Sequence, residues 1–166
     1  MPRTSHSVEI GAPCQVVFDT VHDYQRRLAW DRMLSKATLL AGARTAGLGV
    51  RSLCVGTWRS AFLAVETEYV SFEPGRVAAV KLTNRPAFFN SFAATIKHEP
   101  LGERRSLTTY IYSFHARPQL LASALEPLMK WMLDREIRAR LRALREFLEG
   151  TASCGETAPN DASSCQ

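Results

Sequence analysis

The residues with the most chemical potential lie on two consecutive strand-like segments. Tyr110, Tyr112 and Phe114 alternate with Ile111 and Ser113, so they share one face of an extended chain. Phe92, Ala94, Ile96 and His98 share a face of the segment before it. Aromatic side chains with a polar tip suit the wall of a cavity that holds a mostly apolar ligand with a few oxygens. The same pattern also describes a packed core with its hydroxyls at the rim. Tyr69 belongs to a third segment, where Val65, Thr67 and Tyr69 point one way and Glu66 and Glu68 the other. Two carboxylates on one face could exchange protons with a substrate. A solvated face is the expected placement, because burying both is costly. His98 and His115 fall at strand ends and titrate near neutrality; the rim of the domain is their expected position. Trp58 ends a strand, where it could line a cavity mouth.

One charged residue stands apart. Arg140 lies about 20° from Leu133 around a helix, inside an apolar stripe. Glu136 is four residues away, within pairing distance. Arg140 either reaches into a cavity to orient a ligand carboxylate or carbonyl, or packs its stem and extends its head to solvent. Trp131 falls among arginines on the other side of that helix, where it could touch a membrane or a partner, or pack beside Pro127. Trp30 reads as a structural aromatic.

Other chemistries lack their residues. There is no G-x-S-x-G, H-E-x-x-H, P-loop or G-x-G-x-x-G motif. The four cysteines, at 14, 54, 154 and 165, show no C-x-x-C spacing, and the histidines are scattered. No metal and no cofactor are expected. Cys14 and Cys54 read as core thiols.

These residues need a scaffold. His6, Val8 and Ile10 alternate in a first strand that stops at Gly11-Ala12-Pro13. Cys14, Val17, Phe18 and Val21 then mark one helical face. A second helix is expected over Gln25 to Leu34, with Leu28, Trp30 and Met33 inward and Arg26, Arg27, Asp31 and Arg32 outward. Strands are expected at 37–41, 50–58, 62–72, 77–83, 88–98 and 106–115. Their short connections indicate an antiparallel meander. Glu73-Pro74-Gly75-Arg76 is a turn with proline and glycine at its central positions. From Gln119 to Gly150 the period becomes helical, with a break or kink at Pro127. Met129, Leu133, Ile137, Leu141, Leu144 and Leu148 form its apolar stripe. A curled sheet of six to seven strands needs a cover, and only this helix is long enough. Because the sheet curls, a straight helix leaves a cavity beneath it.

The chain of 166 residues is 46% hydrophobic and carries a net charge of +5, or +7 over residues 1–150. That is one domain with a single core. No apolar run approaches the ~18 residues of a membrane span, and the N-terminus has no apolar signal core. A cytoplasmic location is expected. Residues 151–166 lack apolar periodicity and are expected to be a disordered tail. The basic surface could attract nucleic acid or anionic lipid, or simply confer solubility. No basic-aromatic module supports nucleic acid, so none is expected as a partner.

Val8-Glu9-Ile10-Gly11-Ala12-Pro13, Val17-Phe18-Asp19, Asp23-Tyr24, Trp30, Phe72-Glu73-Pro74-Gly75 and the terminal Leu144-Arg145-Glu146-Phe147-Leu148-Glu149 occur in a telling order. In this the sequence resembles the START-like, or SRPBCC (Bet v 1-like), superfamily, and within it the polyketide cyclase/dehydrase and lipid-transport branch, over about residues 5–150. The resemblance implies an α+β helix-grip fold: two short helices after the first strand, and a curved antiparallel sheet wrapped around a long C-terminal helix. It also implies a ligand cavity between sheet and helix. The expected function is binding of a lipid, polyketide or similar apolar molecule as a carrier or sensor. Membrane contact would be at most transient, and the oligomeric state is open. The expected ligand contacts are Trp58, Tyr69, Phe92, Tyr110, Tyr112, Phe114 and Arg140, with no catalytic residue assigned. A polyketide cyclase or dehydratase and a coenzyme Q-binding protein are the alternatives.

Overall fold

The computed structural model describes residues 3–57, 64–86, 88–118 and 122–155. The chain runs β1 (Arg3–Ile10), α1 (Cys14–His22), α2 (Arg27–Trp30), β2 (Leu34–Leu39), β3 (Arg51–Gly56), β4 (Ala64–Glu73), β5 (Val77–Leu82), β6 (Phe89–Gly102), β7 (Arg105–Ala116) and α3 (Ala122–Gly155). All pairings are antiparallel, and the seven strands lie in the order β1-β7-β6-β5-β4-β3-β2. Local connections build the meander from β2 to β7, and β1 closes against its far edge. Gly75 has φ of 73°, the left-handed conformation the β4–β5 turn demands there.

The alternation of β7 sets one wall of the core. Tyr110, Tyr112 and Phe114 are buried, and they stand opposite Ile96, Ala94 and Phe92 of β6. α3 covers this face with Met129, Leu133, Ile137 and Leu141, and its Leu144 and Leu148 pack with Ile10, Val17, Val21 and Trp30 of β1, α1 and α2. The first four residues of the helical stripe thus meet the strand alternation expected from sequence in one cluster, and the last two join a second. This is an α+β helix-grip architecture.

Three local expectations are corrected. α3 is not broken at Pro127. The proline sits in the second turn, and the carbonyl it leaves unpaired belongs to exposed Ser123, where water can replace the lost bond. Nor does the helix stop at Gly150. It runs to Gly155, so the first residues of the expected tail are helical, and 156–166 lie outside the described residues. Finally, α2 spans four residues only, and three of its expected placements change: Arg27 and Asp31 are buried and Leu28 is exposed, whereas Trp30 is inward and Arg26 and Arg32 outward as expected. One turn is too short for a 3.6-residue period to define a face.

Candidate functional site

A cavity of about 150 Å³ opens between the curled sheet and α3. Its wall has two characters. One part is apolar, formed by Val80, Phe89, Phe92, Ile96, Leu133 and Ile137. The rings of Phe89 and Phe92 meet edge to face at 5.8 Å. The other part is polar and contains His22, Tyr24, Arg27, Tyr69, Tyr110 and Arg140.

The polar part is organised by Asp31, which is 0% exposed and follows the last residue of α2. Arg27 Nε donates to its Oδ2 at 3.0 Å, and Arg140 Nε of α3 lies 3.0 Å from the same oxygen. Arg27 also donates to the carbonyl of Val21 and stacks on Trp30, 4.7 Å from the ring centroid. Burial works against the charged carboxylate, but Arg140 and Arg27 outweigh it and hold Asp31 below the usual carboxylate range. Two guanidiniums thus share one carboxylate. Glu136 is also at the wall, yet among the described residues it makes no ion pair with either arginine. The Glu136–Arg140 pair expected from helical spacing is replaced by Arg140–Asp31, because α2 places a buried carboxylate under α3.

Beside this triad runs a chain of shared hydrogen bonds. His22 Nδ1 and the Tyr69 hydroxyl are 2.9 Å apart, and the hydroxyls of Tyr69 and Tyr24 are 3.1 Å apart. Burial, with help from the charge of Arg27, pushes His22 down to about 3, so its ring is neutral at pH 7. Burial likewise pushes the Tyr69 and Tyr24 phenols up. Cys54 is also at the wall, not inside a closed core, and burial raises its thiol.

Of the residues expected to line a cavity, Tyr69, Phe92, Tyr110 and Arg140 do so. Tyr112 and Phe114 do not. They are packed in the core on the same strand face, and the Tyr112 hydroxyl donates to Asp134 Oδ1 of α3 at 2.6 Å. Both rings share a cluster with Met129, Leu133, Ile137 and Leu141 of α3, whose side chains fill the space there. Trp58 lies outside the described residues. His98 is not at the rim. It is buried against Phe18, shares a 3.1 Å hydrogen bond with Thr108, and is pushed down to about 4 by burial. Glu68 faces solvent and lies 3.8 Å from Lys81, as a solvated face requires.

The sequence reading missed Arg27 and Asp31 as partners. The available signal was their i, i+4 spacing directly after Asp23-Tyr24 and around Trp30. Among the described residues no group of three metal-ligating side chains converges, and no helix is long and apolar enough to cross a membrane.

A curled sheet gripping one long helix around an internal cavity defines a START-like ligand-binding fold. The chain belongs to the polyketide cyclase / dehydrase and lipid transport family, whose model matches residues 1–149. No curated protein matches it in sequence. Among solved structures it is similar to the Zhui aromatase/cyclase from Streptomyces sp. R1128, with a TM-score of 0.75 and 15% identity, covering 95% of this chain and 99% of that one. A START superfamily protein from Mycobacterium smegmatis gives a TM-score of 0.72 at 14% identity, covering 90% and 98% of the two chains. Norcoclaurine synthase from Thalictrum flavum gives 0.69 at 12% identity, covering 91% and 96%. At these identities the likeness is one of fold.

Proposed function

We propose that the protein binds a small amphipathic molecule, with an apolar body and a carboxylate or carbonyl head, as a carrier or sensor. The observation behind this reading is the shared carboxylate. Among the described residues Arg27 and Arg140 share Asp31 as their one ion-pair partner, at the polar side of a cavity whose other wall is aromatic and aliphatic. An anionic or strongly polarised oxygen placed beside Arg140 gives that guanidinium a partner it does not share with Arg27, and charge-assisted contacts of this kind contribute about 1.5–3 kcal/mol. The apolar body then packs on Phe89, Phe92 and Ile137. Lipids, polyketides and quinones all offer such a combination.

Displacement of an environment-sensitive apolar dye tests the reading, with native mass spectrometry of the purified protein as the second measurement. Saturable 1:1 binding is expected, with long-chain carboxylic acids displacing the dye better than the matching alkanes. Arg140→Met should erase that preference. Failure of every apolar compound to bind would refute the carrier reading.

The His22–Tyr69–Tyr24 chain favours a second reading, a cyclase or dehydratase. Tyr69 and Tyr24, phenols that burial holds protonated beside a neutral His22, can donate to a poly-ketone carbonyl and stabilise the enolate oxygen that develops there. Turnover of such a substrate, lost in Tyr69→Phe with binding kept, would establish it.

A further inference from the structure

The face of α3 turned away from the sheet carries a second pattern, separate from the cavity. At 100° per residue, Leu128, Trp131, Arg135, Arg138, Arg142 and Arg145 fall within an arc of about 100°. All six are exposed. They extend along roughly 25 Å of helix. The two ends differ. Leu128 and Trp131, one turn apart, are each 62% exposed, large for apolar side chains. The four arginines follow. Arg145 lies 3.9 Å from Glu149, and Arg138 makes one long contact of 3.4 Å to His6 Nδ1. Arg135 and Arg142 have no ion-pair partner among the described residues. Asp134 is turned inward, where Tyr112, His6 and Lys130 surround it, and the exposed carboxylates of this stretch, Glu146 and Glu149, lie at its C-terminal end.

We propose that this face docks on an anionic lipid bilayer, with Leu128 and Trp131 entering the boundary between headgroups and acyl chains and the arginines lying over lipid phosphates. Charge complementarity chooses the occupant. Four exposed arginines, two of them without an ion-pair partner among the described residues, call for a surface of dense negative charge, and the apolar pair calls for a surface that can take in a wedge. An anionic bilayer offers both, and tryptophan is at home at headgroup level. A nucleic-acid surface would satisfy the arginines, but it takes aromatics interleaved with cations, whereas here the aromatic sits apart at one end. Two wedge residues and a few charges give reversible attachment, the strength appropriate to a protein that comes and goes.

The experiment is co-sedimentation of the full chain with vesicles of phosphatidylcholine alone, or of phosphatidylcholine with phosphatidylglycerol. Binding is expected only to the anionic vesicles, and it should fall as salt rises. Arg135→Ala and Arg142→Ala should each weaken it about five-fold. Trp131→Ala should weaken it further while leaving the salt dependence unchanged. All three positions are exposed, so melting temperature and cavity dye binding should stay at wild-type values. That separates this surface from the cavity reading. Equal binding to both vesicle types, binding to neither, or vesicle binding untouched by these substitutions would overturn the proposal. So would tighter binding to a DNA duplex or an acidic polypeptide than to the anionic vesicles at equal salt.

Discussion

Of the carboxylates that tie α3 to the rest of the molecule, Asp31 and Asp134 do so in opposite environments. Asp31 lies fully buried between Arg27 and Arg140. Asp134 lies on α3 itself, 14% exposed, and accepts from Tyr112 and His6 at 2.6 Å and from Lys130 at 2.5 Å. Burial opposes ionisation of Asp134, but hydrogen bonds from Lys130, Tyr112 and His6 prevail and push it down to about 2. Both are ionised at pH 7. The difference is what removal leaves behind. Without Asp134, Lys130 can turn to water. Without Asp31, two guanidiniums remain in a cavity wall with no ion-paired carboxylate, since Glu136 of that wall pairs with neither among the described residues. The expensive pair is the one beside the ligand space, the inexpensive one a strap between β1, β7 and α3.

Asp31→Ala should therefore have the largest effect, a loss of about 3–5 kcal/mol in denaturant unfolding, because it strands buried positive charge. A simultaneous Arg27→Met, Asp31→Leu, Arg140→Met replacement sharpens the point. Removing all three charges together should restore most of that stability. Preference for acidic ligands should stay lost in dye displacement. If the triple variant is as unstable as Asp31→Ala, the triad acts through packing and not through charge.

Acid should act next. Unfolded histidine takes up a proton near pH 6.5. His22 and His98 in the folded chain resist until about 3 and about 4. The unfolded state therefore holds more protons in between, and stability falls as pH drops from 6.5 towards 4. Roughly 2 kcal/mol per histidine should be gone by pH 5, measurable in unfolding curves. His98→Leu should remove part of this slope; an unchanged slope would place the acid sensitivity elsewhere.

Asp134→Asn should cost only about 1 kcal/mol, since the amide keeps acceptors for Tyr112 and His6 and the site reaches water. Smallest of all should be Arg142→Ala, within about 0.5 kcal/mol, as for other exposed positions away from special contacts. Thermal melts of the two, beside Asp31→Ala, rank the three environments directly.

Much of this architecture was legible in the sequence because it is periodic. The alternation at Tyr110, Tyr112 and Phe114 and the stripe from Met129 to Leu148 each follow from the repeat of one element. Hydrophobic burial enforces such repeats along their whole length. Tyr69, Phe92, Tyr110 and Arg140 were placed at the cavity by the same periodicity. Tyr112 and Phe114 share that face and yet miss the cavity, since a face does not say where along it the side chains of α3 fill the space.

The sequence by itself determined which side of β1, β4, β6, β7 and α3 points inward, and that one long helix must cover a curled sheet. Tertiary structure decided where the charge goes. Asp31, read as an outward residue of a second helix, became the buried counter-ion of Arg140 more than a hundred positions later. No local pattern encodes such a pairing. It exists because a short turn of helix is pressed beneath α3, where a carboxylate can remain charged only if arginines from both sides reach it.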